Sequence, residues 1–261
     1  MESRIVCGDV LEVLPTLPVG AQVVLADPPY NIGKDFGNDS DKQTMDDYLA
    51  WCERWVDECL RILRPDGTMF IYGFSEILAL VLAHIHARHP TLGRRWLVWH
   101  YTNKTTPSCQ FWQRSHESIL VLWKKDRVFN RDDVREPYTD IFLENAVGKT
   151  RAATAGRFSK GTATTTYKAH PQGALPRDVI KVPALAGGAG AKERVNHPTQ
   201  KPLDLCQRLL LSCKQTDGYV LVPFAGSGSE CVAAKQLSLP YIGVELNPDY
   251  AALCTERLCA G

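Results

Sequence analysis

The chain has 261 residues, 44% of them apolar, with 30 Lys and Arg against 29 Asp and Glu and a formal net charge of +1. That length suits one large domain or one domain carrying an insertion, and the apolar fraction excludes wholesale disorder. No run of about 18 uncharged apolar residues occurs, which excludes a transmembrane helix, and a charge near zero argues at first sight against a nucleic-acid partner.

Residues 4–7 read as a short strand, followed by Gly8-Asp9 and a helical turn through Leu14. The opening residues enter this strand directly and lack a signal-peptide layout, so a cytoplasmic, reduced protein is expected. Residues 21–26 are a continuous apolar run with β-branched Val23 and Val24, the pattern of a buried parallel strand. Residues 46–63 form a helix in which Tyr48, Cys52, Trp55, Cys59 and Ile62 recur at steps of four and three along one face. Pro65-Asp66-Gly67 stops it, and the next strand is 68–72. A helix over 75–87 and strands over 96–100 and 118–123 follow.

Periodicity then fails from about 125 to 195, where Gly, Thr, Ala and Pro are frequent. It resumes with a helix at 203–213, a strand at 219–222, a helix after Ser229, a strand at 241–245 and a last helix from Pro248. Alternating strand and helix predict an α/β domain with a mainly parallel sheet, interrupted by a loop-rich insertion.

The nine cysteines form no Cys-x-x-Cys pair. Cys52 with Cys59, and Cys206 with Cys213, lie seven apart on one helical face each, as free thiols packed in a core do. His84, His86 and His89 lie along a helix and its end. With no Cys or carboxylate at ligand spacing, no metal site is expected.

The net charge hides a division. From Lys124 to Asn196 there are 14 basic and 8 acidic residues, so the insertion carries +6 and the remainder −5. The stretch from Asn145 to Arg177 has no Asp or Glu. It holds Lys149, Arg151, Arg157, Lys160, Lys168 and Arg177 among Phe158, Tyr167 and His170. That is the composition of a surface meeting a phosphate backbone, and equally that of a solvated basic loop.

Two stretches carry chemistry. Tyr219-Val220-Leu221-Val222 runs into Pro223-Phe224-Ala225-Gly226-Ser227-Gly228-Ser229 and a helix, the strand, glycine turn and helix that receive a nucleoside-type cofactor. Glu245 ends the next strand about 20 residues on, placed to accept ribose hydroxyls. The turn lacks the third glycine of a pyrophosphate cradle. The second stretch, Asp27-Pro28-Pro29-Tyr30, ends a buried strand, where α/β sheets bind ligands. The prolines stiffen the chain, so the Asp27 carboxylate and the Pro28 carbonyl become neighbouring acceptors for a planar exocyclic NH₂, with the Tyr30 ring beside them. A base would have to leave the duplex to arrive there. Each stretch taken alone also fits a tight structural turn.

Taken in order, Asp27-Pro28-Pro29-Tyr30, His197-Pro198-Thr199-Gln200-Lys201-Pro202 and Pro223-Phe224-Ala225-Gly226-Ser227-Gly228 resemble the β group of S-adenosylmethionine-dependent DNA amino-methyltransferases, which methylate adenine N6 or cytosine N4. The resemblance extends to Gly8-Asp9, to residues 61–68 and to Ser115-His116-Glu117, and fades between about 126 and 190. It implies a Rossmann-like methyltransferase fold with helices on both faces of the sheet and a circularly permuted motif order. Residues 1–124 and 197–261 would be the catalytic domain and 125–196 the target-recognition region.

The same resemblance implies that Asp27, Pro28, Pro29 and Tyr30 hold a flipped base. Phe224, Gly226, Ser227 and Gly228 would line the S-adenosylmethionine pocket, with Glu245 on the ribose and Asp9 near the adenine. His197, Thr199 and Lys201 would lie beside the methionine end. Lys149, Arg151, Arg157, Lys160 and Lys168 would meet double-stranded DNA. Asp at the first motif position leans to adenine N6, with cytosine N4 the alternative. A homodimer and a restriction endonuclease partner are both compatible with the family. One departure stands out: Val222 occupies a position where members usually carry an acid. A catalytically weak DNA-binding module and a nicotinamide-dependent oxidoreductase are the competing readings from other classes.

Overall fold

A computed structural model describes residues 2–33, 41–103, 110–156 and 160–260, with Ala189 described by its backbone alone. The chain divides into two compact units, Met1–Phe129 with Asp178–Gly261, and Asn130–Arg177.

In the larger unit, β1 (Arg4–Cys7) leads into the single-turn helix α1 (Val10–Val13), capped by Asp9, which accepts Leu11 N–H at 2.7 Å. β2 (Ala21–Ala26) is buried at every position. α2 (Met45–Ile62) begins at Thr44, whose hydroxyl accepts Asp47 N–H. It buries the expected face of Tyr48, Cys52, Trp55, Cys59 and Ile62. β3 (Leu63–Gly73), α3 (Ser75–Arg88), β4 (Gly93–His100) and β5 (His116–Trp123) follow. His84 and His89 of this stretch pair with Glu53 and Asp57 of α2.

The smaller unit holds α4 (Asp140–Asn145) and a hairpin of β6 (Thr150–Ala152) and β7 (Thr164–Thr166). It is narrower than the 125–196 region expected from composition. By residue 179 the chain is again part of the larger unit, as β8 (Val179–Lys181) pairing with β4. α5 (Leu203–Cys213), β9 (Tyr219–Val222), α6 (Ser229–Gln236), β10 (Tyr241–Glu245) and α7 (Pro248–Ala260) complete the chain.

Eight strands form one sheet in the order β1-β10-β9-β2-β3-β5-β4-β8. All neighbours are parallel except β5, which runs antiparallel to β3 and β4. Side-chain alternation divides each central strand between two cores. Val23, Leu25, Phe70, Tyr72, Val220 and Val222 pack with residues of α5, α6 and α7. Val24, Ala26, Met69, Ile71 and Leu221 pack with α2 and α3. This is the expected Rossmann-like layering, with helices on both faces. β3 starts five residues before the expected 68, because Leu63 already pairs with Ala21 across a register shift. Among the described residues, no helix is long and apolar enough to cross a membrane.

Candidate active site

The strand order builds the site. β9 and β2 are adjacent and parallel, so the glycine turn after Val222 and the Asp-Pro-Pro-Tyr turn after Ala26 leave the sheet side by side. β10 and β1 continue the same edge, with Cys7 level with Glu245, which brings Gly8-Asp9 and Glu245 alongside. From β9 the chain crosses by α6 to β10, and from β2 by α2 to β3 on the other side. The crevice between β9 and β2 is therefore the switch point where such sheets take ligands. β5 is antiparallel, so Glu117, second residue of the strand, lies at this same end.

One pocket is lined by Asp9, Asp27, Pro28, Pro29, Tyr30, His197, Thr199, Lys201, Phe224, Gly226, Ser227 and Glu245, all but Gly228 of the residues expected at the base and the cofactor. Trp51, Asp41, Gln43, Glu230 and Tyr250 line it as well and were not anticipated. Trp51 extends the apolar face of α2, three residues after Tyr48, and its ring lies 5.5 Å from that of Phe224.

Asp27 is the hub of the polar end. Lys201 Nζ donates to both of its oxygens at 2.7 Å, and the Tyr30 hydroxyl lies 2.8 Å from Oδ1. Glu117 Oε2 lies 3.1 Å from the Tyr30 hydroxyl and 3.6 Å from Lys201 Nζ. Two carboxylates and one ammonium leave this buried cluster with one net negative charge. Burial alone pushes the Lys201 ammonium down, but Asp27 and Glu117 outweigh it and the net shift is up, so Lys201 stays charged. Burial, with Asp27 and Glu117 adding, pushes the Tyr30 phenol up, so it keeps its proton.

The turn itself is latched from outside. The Tyr48 hydroxyl donates to the Pro29 carbonyl at 2.8 Å, and Asn31, in a left-handed conformation, exchanges hydrogen bonds with the Gln43 backbone. A carboxylate has about four lone-pair sites; Lys201 and Tyr30 take three at Asp27, so Oδ2 retains one for a further donor.

At the other end, Glu245 Oε2 accepts Gly226 N–H at 2.7 Å and Oε1 accepts Asn247 N–H at 2.9 Å, with the Leu246 N–H acting on the same carboxylate and about one of its four acceptor sites left over. Burial raises the Glu245 carboxyl above its ordinary range. His197 Nδ1 accepts Thr199 N–H, and a Cβ on Gly226 would lie 3.0 Å from His197 Nε2. Burial, with Lys201 and Arg257 adding, lowers His197 to about 4, so it is neutral near pH 7.

Gly228 does not line the pocket. It is in the left-handed conformation, at φ +77, and a side chain there would run into Cys254 Sγ of α7. Close packing of α7 against this turn requires a glycine here. Gly228→Ala is therefore expected to destabilise the fold by about 1–3 kcal/mol, read as a lower denaturant midpoint.

Of the basic residues, Lys149, Arg151, Lys160 and Lys168 are exposed, and Arg157 lies outside the described residues. In the hairpin, Arg151 opposes Thr165, and the Tyr167 N–H donates to the Lys149 carbonyl. Alternation thus places Lys149 and Arg151 on one face of the hairpin.

A family model described as DNA methylase matches residues 21–256. The chain belongs to the DNA methylase family. It is 29% identical over 259 residues to the DNA adenine methyltransferase YhdJ of Escherichia coli K12, covering 98% of this chain and 82% of that one. Among solved structures, the M1.HpyAVI–SAM complex aligns with 98% of each chain at TM-score 0.62 and 22% identity. The cytosine-N4-specific PvuII DNA methyltransferase aligns at TM-score 0.69 and 16% identity, over 98% of this chain and 86% of that one.

In this DNA methylase the residues expected at the base and the cofactor, Gly228 apart, line one pocket, with Glu230 in its wall and Glu117 beside Tyr30 and Lys201. Glu117 lies at a strand start and Glu230 in the first turn of α6. In the sequence Glu117 belongs to the stretch Ser115-His116-Glu117 but carries no role, and Glu230 is unmarked, because a carboxylate at an element's end is commonplace as a cap or a solvated charge.

Proposed function

We propose that the chain transfers a methyl group from S-adenosylmethionine to the exocyclic amino group of a base flipped out of double-stranded DNA, with adenine N6 the favoured target. The observation that carries this reading is the shared pocket. Asp27 and the Pro28 carbonyl, two stiffly held acceptors, open into the same space as the glycine turn and Glu245.

The pocket residues fit the cofactor. Glu245 keeps acceptor capacity for ribose hydroxyls beside a glycine turn, and Trp51 and Phe224 offer apolar ring surface for its adenine. The M1.HpyAVI complex with SAM supports the same assignment. Bound S-adenosylmethionine would supply an electrophilic methyl group on a sulfonium.

The chain's own part is to make the amine reactive. An exocyclic amine is a poor nucleophile because its lone pair is delocalised into the ring. Hydrogen bonds from that NH₂ to Asp27 Oδ2 and the Pro28 carbonyl draw the nitrogen toward tetrahedral geometry and stabilise the positive charge that develops on it. Lys201 and Tyr30 fix the carboxylate for this purpose, and the net negative cluster suits a cationic transition state.

The base preference rests on Asp27 at the first motif position and on the likeness to the adenine enzyme YhdJ. Cytosine N4 is the second reading, because its amine has the same geometry. The Asn130–Arg177 unit, with Lys149 and Arg151 sharing one hairpin face, would contact phosphates as the core of a target-recognition region expected over 125–196. The test is to incubate the purified chain with DNA and methyl-labelled S-adenosylmethionine, then digest the DNA to nucleosides. Label in N6-methyldeoxyadenosine is expected; label in N4-methyldeoxycytidine would move the target, and no label in DNA would overturn the reading.

A further inference from the structure

Glu230 is a buried carboxylate that the chemistry at Asp27 does not use. It lies in the first turn of α6, directly after the glycine turn, is 3% exposed and lines the pocket. Its Oε1 has no hydrogen-bond partner among the described residues. No Lys, Arg or His nitrogen of those residues pairs with it. The nearest buried cation, Lys201, spends its donors on Asp27 and lies 3.6 Å from Glu117. The strand end before the glycine turn offers no charge either, since Val222 is apolar and fully buried.

The Cys206 thiol and a backbone N–H satisfy part of this carboxylate, but a buried carboxylate with an open oxygen and no cation paired to it is still costly. The helix N-terminus offsets part of that cost for Glu230. Burial nevertheless raises its carboxyl, with Asp27 reinforcing the shift and Lys201 opposing it. A cation entering the pocket would relieve the penalty. The methionine end of S-adenosylmethionine carries two cations, the α-ammonium and the sulfonium.

We infer that Glu230 is the carboxylate that binds the cationic methionine end of the cofactor. This rests on the reading that S-adenosylmethionine occupies the pocket. The role differs from that of Asp27, which faces the base, and from that of Glu245 near the ribose. It makes Glu230 a determinant of cofactor affinity and of discrimination between charged and neutral adenosine ligands.

Calorimetry on the full chain tests it with three ligands: S-adenosylmethionine, which carries both cations; S-adenosylhomocysteine, which keeps the ammonium alone; and 5′-methylthioadenosine, which has neither. Glu230→Gln preserves shape and removes the charge. It is expected to weaken S-adenosylmethionine by about 10- to 100-fold and to leave 5′-methylthioadenosine within about twofold. A loss for S-adenosylhomocysteine equal to that for S-adenosylmethionine places the contact at the ammonium, and a smaller loss places it at the sulfonium. Both support the inference. Unchanged affinity for S-adenosylmethionine overturns it. So does an equal loss for 5′-methylthioadenosine, which would mark a general distortion of the pocket. A melting temperature close to that of the native chain is expected for Glu230→Gln, since burial already disfavours the charged form that the change removes. Failure of the native chain to bind S-adenosylmethionine is a separate result, and it overturns the underlying reading along with this one.

Discussion

Asp27→Ala is expected to lower the rate of methyl transfer by about 10²–10³-fold or more, with cofactor and DNA affinity nearly unchanged. The carboxylate is the acceptor with a free site at the polar end of the pocket, and the carbonyl of Pro28 cannot replace both hydrogen bonds. The same change strands Lys201, which is 3% exposed and has its shortest contacts to Asp27. Lost activity could then reflect lost folding, so a second variant separates the effects. Asp27→Ala with Lys201→Met removes both charges, which should recover most of the stability and none of the activity. Single-turnover rates at saturating cofactor, beside melting curves for both variants, give the comparison. A double variant that regained near-native transfer would remove Asp27 from the chemistry.

Lys201→Met alone is expected to be among the most damaging single changes to stability, at about 3–5 kcal/mol. Asp27 and Glu117 both lie near the Tyr30 hydroxyl, and their side chains are only 15% and 11% exposed. Without the ammonium, two carboxylates share one buried site with no cation between them. Equilibrium denaturation reads the loss. Adding Asp27→Asn to Lys201→Met should restore more than half of it, and a loss below about 1 kcal/mol for the single variant would show the cluster to be solvated.

These two predictions concern an ion pair whose members lie 174 residues apart in sequence. That separation explains what could be read in the chain and what could not. β2, β9, β10 and α5 were legible because apolar runs and helical spacing are local patterns. β2 and β9 proved to be neighbours, which set the two turn motifs side by side. The direction of β5 was not legible, since a strand buried on both faces shows the same apolar run whichever way it points. That direction is what delivers Glu117. α4, with six residues, and β6 and β7, with three each, are too short for any period to register.

The motif residues were legible individually, but their partners were not. Lys201 was marked as a neighbour of the cofactor; it lines the pocket and also grips Asp27, which nothing in the sequence indicated. Tyr30 was marked for its ring; its hydroxyl is bonded to Asp27, and Lys201 lies 5.4 Å from its ring centroid. Gly228 was marked for ligand approach, and the neighbour its missing side chain admits is Cys254. In each case the residue type announced a constraint, and only the packing showed which neighbour imposed it.

Methyl transfer to a DNA amino group through Asp27 would leave a mark that sequencing reads. Long-read sequencing of DNA from a methylation-free host expressing the native chain, beside the same host expressing the Asp27→Ala, Lys201→Met variant, tests it most directly. The expected result is N6-methyladenine at one recurring sequence with the native chain and at none with the variant. Unmodified DNA from the native chain, or the same modified sequence from the variant, would contradict it.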